Sequence, residues 1–316
     1  MISAFKILLM ILFQKKQLMN NKVSIITINY NGIYDTTEFI NSLRDHEIYP
    51  YELIVIDNAS KNPEESSILR KMYPDILVIR SDKNLGFAGG NNLGINYATG
   101  NYIFFLNNDI IITTPILEEL VNRLEKDKKI GCVSPKIANW PQKETIQFAG
   151  FTPMTTITLR NECIGYKQKD KGQFNLAHKT PFAHGAAMMV RSEDIQKFGL
   201  MPEFYFLYYE EFDWCVHMRN IGYTIWYEPR STVYHKESVS IGLQSPLQVY
   251  YHTRNRYIFA KRTVSNRFIR ICCYLYQIVI VFNSRILKYI LEKKFHLLSP
   301  LFKGTRDGLL FNFRNN

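Results

Sequence analysis

Hydrophobic and polar positions alternate in blocks along the first part of the chain, and block length separates strands from helices. VSIITIN (23–29), YELIVIDN (51–58), DILVIRS (75–81) and NYIFFLNND (101–109) are short and rich in β-branched or aromatic residues, with YIFFL continuously apolar. Runs of that kind suit strands covered on both faces. Between them, DTTEFINSLRDH (35–46), a segment that Pro63 can open at its first turn, FAGGNNLGINYA (87–98) and TPILEELVNRLEKD (114–127) read as helices or as loops entering them. Strands separated by single helices predict βαβ units and an α/β fold with a mostly parallel sheet.

After residue 134 the regularity lapses. Residues 134–184 are rich in Thr, Lys, Gly and Asn and read as irregular strands and loops. HGAAMMVR (184–191), a short helix near 192–198, the aromatic and acidic run FYFLYYEEFDW (204–214), a helix to about Asn220 closed by Gly222, and the strand GYTIWYEP (222–229) follow. From about Thr263 basic residues are mixed into an apolar stretch. The pattern divides the chain into an apolar extension (1–21), a main domain (22–262) and a basic-apolar tail (263–316).

At 316 residues, 46% hydrophobic and 21% charged, the chain has ample material for a core. The formal charge of +11 raises the question of a nucleic acid. The excess, however, is concentrated in the tail, where NRFIRICCYLYQIVIVF and SRILKYILEKKFHLLSPLFKGTR favour an anionic membrane surface and no nucleic-acid partner. The run Ile269–Phe282 is short for a span, so a hairpin lying on the surface is expected. Five cysteines without a CxxC pair argue against a disulfide framework and for a reducing cytoplasm. ISAFKILLMILF at the start is too short to span and lacks a cleavage site, so either Met19 is the true start or the segment is a peripheral anchor.

Three strands end in polar pairs, and ligands of open α/β sheets bind beyond the carboxyl ends of strands. Asn29, Tyr30 and Asn31 offer a ring and two amides to a nucleotide base. Asp57 and Asn58 can bond a base or ribose, or form an Asx turn. Asn107, Asn108 and Asp109 place a carboxylate where a divalent cation could bind, or where it could cap the next helix, although Thr113 or Thr114 could do that instead. Asn84, Gly86 and the neighbouring glycines permit close backbone approach to a diphosphate. Glu210, Glu211 and Asp213 sit among aromatic rings, which can raise a carboxylate pKa toward that of a general base; a first turn made acidic for the helix dipole is the plainer alternative. Asp213 should point to a different helical face from Glu210 or Glu211, so at most two of the three can meet a substrate at once. His235 is either a second metal ligand or structural. His184, Gly185 and Ala186 could line an acceptor cleft, and Arg254 and Arg256 could neutralise a diphosphate or lie on the surface.

Taken in order, TINYNG, VIDNASKN, NLGFAGGNN, FLNND, HGAAMMVR, YYEEFDW, VYHKESVS and HTRN resemble the family 2 glycosyltransferases, especially the rhamnosyltransferase-like branch of bacterial polysaccharide synthesis. The resemblance covers about residues 22–262. It implies a GT-A fold and inverting transfer from a nucleotide-diphosphate sugar, dTDP-rhamnose or a UDP-hexose, with Mg²⁺ or Mn²⁺, to a lipid-linked glycan of O-antigen or capsule at the cytoplasmic face of the plasma membrane. It implies that Thr27, Tyr30 and Asp57 contact the nucleoside, that Asp109 binds metal with His235 as a further ligand, and that Glu211 is the base with Glu210 as alternate. Trp214 would then offer an apolar face to the acceptor sugar. Asn107 stands where the family's metal motif carries a first aspartate, and Glu211 stands where its base is commonly aspartate. These departures keep a nucleotide-sugar-binding scaffold without turnover in view.

Overall fold

The computed structural model describes residues 21–236 and 245–313; the N-terminal apolar run and the end of VYHKESVS lie outside the described residues. β1 (Val23–Asn29), α1 (Ile33–His46), β2 (Tyr51–Asp57), α2 (Glu64–Met72), β3 (Leu77–Arg80), α3 (Gly86–Ile95) and β4 (Tyr102–Leu106) follow the predicted alternation. They are followed by β5 (Ile110–Ile111), α4 (Leu117–Glu125), β6 (Ile130–Asn139), β7 (Ile146–Phe148), β8 (His178–Thr180), β9 (Ala187–Arg191), α5 (Ser192–Phe198), α6 (Glu210–Asn220) and β10 (Thr224–His235). One sheet runs β3-β2-β1-β4-β9-β6-β10-β5, with β7 on β6 and β8 on β10. Its first four strands are parallel, and β9 enters antiparallel between β4 and β6.

Side chains alternate across each strand, and the sheet is therefore buried twice. Ile25, Val55 and Phe104 pack with Phe39 and Leu43 of α1 on one face. Ile26, Ile54 and Phe105 pack with Met188 and Trp214 on the other. Burying each such side chain contributes about 1.5–3 kcal/mol. The α4 start differs from expectation. Neither Thr113 nor Thr114 caps it; the buried Glu47 carboxylate accepts from Ile116 N at 2.8 Å and Leu117 N at 3.1 Å. A longer side chain arriving from another element satisfies both exposed N–H groups at once.

The tail is helical. α7 (Pro246–Thr263) opens with Ser245 Oγ accepting from Gln248 N and Pro246 at its first turn. α8 (Arg267–Leu275), a π-helical stretch (Tyr276–Phe282) and α9 (Asn283–Leu291) form one continuous helix of 25 residues, and α10 (Leu298–Leu310) returns along α7. The expected short run is thus corrected: the helix is long and apolar enough to cross a bilayer by length and composition. Its inner side is nevertheless tied to the body, Cys273 Sγ to Thr156 O and Gln277 Nε2 to Thr158 O, both at 3.3 Å. Gly304 and Gly308 let α10 approach closely, since a Cβ would stand 2.6 Å from Tyr250 O at the first and 2.7 Å from Arg254 O at the second.

Candidate active site

A cleft of about 590 Å³ opens beyond the carboxyl ends of β1, β2 and β4. Tyr30, Asn58, Asn84, Gly86, Asn107, Asn108 and Asp109 line it, as the sequence led one to expect. Strand alternation decides which neighbours do not. Ile28 and Tyr30 face the cleft, so Thr27 and Asn29 face the opposite side of β1. Asn29 is fully buried and spent on structure: its amide donates to Glu65 at 2.7 Å and Ser60 at 3.1 Å and accepts from Thr36 at 2.7 Å. Asp57, in register with Asn29, is fully buried too, paired with Arg80 and accepting from Ser60 N at 3.0 Å. Asn31 leaves the cleft to accept from Lys61 N. The structure thus brings none of Thr27, Asn29, Asn31 and Asp57 to the cleft lining; the last three spend their polar atoms on the floor on which Tyr30 and Asn58 stand, and Thr27 is buried.

Asn58 builds the side wall. Its amide donates to Gly86 O at 3.0 Å and Asn84 Oδ1 at 3.1 Å and accepts from Leu85 N at 2.8 Å. Gly86 sits at φ +72°, and a Cβ there would collide with Phe206 O at 2.1 Å, so the wall needs glycine at this point.

At the end of β4, Asp109 Oδ1 and His235 Nε2 are 3.0 Å apart and both buried, yet neither makes a properly directed hydrogen bond. His235 Nδ1 is held by Gln147 Oε1 at 2.8 Å, which aims Nε2 at the carboxylate. Burial works against the charge of Asp109, but the adjacent imidazole and Lys236 hold its carboxyl below the ordinary range. Two buried ligand atoms that face each other and have no other hydrogen-bond partner would fit a divalent cation completed by diphosphate oxygens and water. Among the described residues no third His, Cys, Asp or Glu joins them.

The base candidates enter on a strained turn. Phe206, Tyr208 and Tyr209 adopt φ of 66°, 67° and 79° without being glycine, at a cost of about 1–3 kcal/mol each. Buried Asn255 fastens this turn, its Nδ2 lying 3.0, 2.7 and 2.9 Å from the carbonyls of Tyr205, Leu207 and Tyr208. Past the turn, Glu211 lies against Gly185, its Cδ 3.7 Å from where a Cβ would be, and the next carbonyl, Ala186 O, accepts from Asn107 N at 2.9 Å. Glu210 and Glu211 each keep one buried oxygen without a partner. Burial, and then the neighbouring Glu211, pushes Glu210 well up; burial raises Glu211 to about 7. His184 stacks parallel to Phe151, and burial, then His235, lowers its pKa to about 3, so it stays neutral.

Four expected site residues are engaged elsewhere. Asp213 accepts from Tyr205 Oη at 2.7 Å and pairs with Arg262, so it is a strut and not a base. Trp214 is 1% exposed, packs against Phe105 and Phe198 and donates to Gly199 O; it belongs to the core and meets no acceptor. Arg254 donates to Phe204 O, lies over the Phe311 ring and does not line the cleft. Arg256 is likewise turned to Tyr209 Oη at 2.7 Å. Helical periodicity alone could not tell which side of α6 or α7 is covered. The sequence reading also missed Gln147, Asn255, Phe206 and Leu247. Only Ser245-Pro246, a helix-start signature, pointed toward the last of these. Replacing Asn255 with Leu is expected to lower stability by about 3 kcal/mol, because buried carbonyls lose their donor. A urea midpoint equal to that of the parent protein at unchanged slope would refute this clamp.

Residues 24–199 match the sequence model described as glycosyl transferase family 2. The low-salt glycan biosynthesis hexosyltransferase Agl10 of Haloferax volcanii is 28% identical over 301 residues, 93% of this chain and 93% of that protein. The dTDP-rhamnosyl transferase RfbF of Shigella flexneri is 22% identical, with 77% and 81% covered. Among solved structures, GalNAc-T7 with UDP, GalNAc and Mn²⁺ superposes with a TM-score of 0.60 at 15% identity; the match covers 84% of this chain and spans 57% of GalNAc-T7. Mannosyltransferase PcManGT from Pyrobaculum calidifontis, in complex with GDP-Man and Mn²⁺, gives 0.54 at 12% identity over 91% and 87%. These likenesses establish the GT-A architecture expected from the sequence.

Proposed function

The chain belongs to glycosyl transferase family 2, and from that premise we propose that it moves a rhamnose or hexose unit from a dTDP- or UDP-linked donor to a hydroxyl of a lipid-linked glycan, with inversion. The observation that carries the reading is the buried Asp109–His235 contact at one end of the cleft together with the elevated Glu211 carboxyl at the Gly185 shoulder. Agl10 and RfbF, named for hexosyl and rhamnosyl transfer, support the donor class.

In this mechanism Tyr30 presents its ring to the base, while Asn58, Asn84 and Gly86 shape the wall along the sugar nucleotide. Mg²⁺ or Mn²⁺, held by Asp109 and His235, would supply positive charge against the leaving diphosphate. Glu211 takes the acceptor hydroxyl proton as that oxygen bonds to the anomeric carbon from the side opposite the diphosphate, whose oxygen leaves with the glycosidic electron pair. Glu210, kept protonated by burial and its neighbour, leaves Glu211 as the ionised member of the pair. Thermal-shift screening of nucleotide sugars with Mn²⁺, followed by labelled-sugar transfer in membranes, tests this. Donor binding without transfer or hydrolysis would favour the scaffold suggested by Asn107 and Glu211.

Membrane association belongs to the same proposal. Phe268, Leu275, Val279, Leu287 and Leu291 are all exposed on the outer side of the helix 267–291, with Phe302 and Leu310 on α10, among basic residues. Because the inner side is bonded to the body, this helix would lie in the plane of the cytoplasmic leaflet as a peripheral anchor. Leu275→Asp with Leu287→Asp should weaken sedimentation with anionic vesicles at least tenfold, since each apolar side chain contributes about 1.5–3 kcal/mol when buried. Binding at the parent level would refute the anchor.

A further inference from the structure

Behind the strained turn, α7 and the helix 267–291 enclose a group of cationic side chains that the transfer reaction does not use. His252, Arg256 and Arg285 line one small recess with Gln277 and Tyr257. Arg256 Nε donates to Tyr209 Oη at 2.7 Å, and Arg285 donates to Thr253 Oγ1 at 2.9 Å. Both contacts are to neutral oxygens. Among the described residues neither guanidinium has a carboxylate partner, whereas buried Arg123, Lys136 and Arg191 each have one. The crowding shows on two of the three, while the Tyr209 contact raises the pKa of Arg256. Burial, then Arg256, lowers the Arg285 pKa, and burial, then both arginines, lowers His252 to about 4. Two half-buried like charges brought together without an anion are unfavourable unless something negative completes them.

We propose that His252, Arg256 and Arg285 form a receptor for a phosphate-type anion at the seam between the catalytic domain and its C-terminal helix. Guanidinium groups match phosphate oxygens in pairs, and a neutral imidazole adds a donor. The recess as it stands has room for about 10 Å³, so the anion enters as the Arg285 arm gives up its single hydroxyl contact. Two sources share this chemistry: the phosphoryl group of a lipid-linked substrate and the headgroup of an anionic lipid. The site is separate from the donor cleft, but Tyr208 stacks on His252 at 4.1 Å and Tyr209 is held by Arg256, so occupancy touches the turn that delivers Glu211.

Its test needs no transfer activity. The full chain in EDTA, at fixed ionic strength, is titrated with inorganic phosphate, pyrophosphate and, separately, dihexanoyl phosphatidylglycerol below its micelle concentration, and the Tm is followed. The parent protein is expected to gain on the order of 5 °C at about 100 times the Kd. Arg285→Gln should lose that gain, and Arg285→Lys, which keeps charge but not the fork, should need roughly tenfold more anion. A response to the inorganic anions assigns the site to a phosphoryl group; a response to the phospholipid alone assigns it to a headgroup. No shift in the parent protein with any of the three, or equal shifts in Arg285→Lys or Arg285→Gln, overturns the proposal. Failure of transfer with this shift intact would instead count against the reaction.

Discussion

Glu211→Gln is expected to lower turnover by about 10²–10⁴ while leaving donor affinity within about twofold, because removing a positioned base affects the transition state and little else. The change is nearly isosteric and preserves the contact with Gly185, so folding is not the reason for the loss. The pH profile gives a second, independent readout. Burial raises the Glu211 pKa to about 7. The base works ionised, so the rate should climb about tenfold per pH unit below that value and level off above it. Glu211→Gln should remove this limb, and Glu211→Asp, which retracts the carboxylate by one methylene, should retain it at a lower plateau. Initial rates of labelled-sugar transfer between pH 5.5 and 8.5 (a span chosen to bracket about one and a half units either side of the raised value) would show it. A Gln variant with parent turnover, or with the parent pH limb, would remove Glu211 from the reaction.

Asp109→Asn should weaken Mn²⁺ binding by about 100-fold or more, since altering even the groups that merely orient metal ligands costs 10- to about 100-fold. In the proposed metal site Asp109 would supply the anionic atom; its partner is an imidazole nitrogen that Gln147 only aims. The amide keeps shape and volume but loses the charge that lowers the cost of bringing a dication beside His235. Calorimetric titration of Mn²⁺ in the presence of UDP or dTDP measures this directly. In the parent protein nucleotide affinity should fall when EDTA is added; in Asp109→Asn it should be low with or without chelator. Nucleotide binding equally insensitive to metal in both proteins would show that this carboxylate holds no cation.

Several parts of the site were legible because they depend on local chain properties. Asn107, Asn108 and Asp109 follow directly on an apolar strand, and wherever β4 lies in a parallel sheet its end must open outward. Asn84 and Gly86 mark a turn that only small or amide residues allow. That at most two of Glu210, Glu211 and Asp213 could meet a substrate was expected because a helix turns about 100° per residue. Thr27, Asn29 and Asp57 were misplaced for an equally physical reason. Every second residue of a strand faces the same way, but the run of letters does not say which face the cleft uses. Trp214 and Arg254 were drawn to the site by chemistry that the fold spends elsewhere, on core packing and on holding a backbone turn.

The amino-acid sequence by itself determined the α/β architecture, the strand ends around which a sugar nucleotide can sit and the carboxylates able to do the work, because periodicity and strand termini are written along the chain. Tertiary structure alone decided that Gln147 aims His235 at Asp109, that Asn255 locks the turn before Glu211, and that Arg256 and Arg285 share a recess with no acid beside them among the described residues. Those partners lie tens of residues apart. Their meeting depends on how helices and strands pack, which no local pattern encodes.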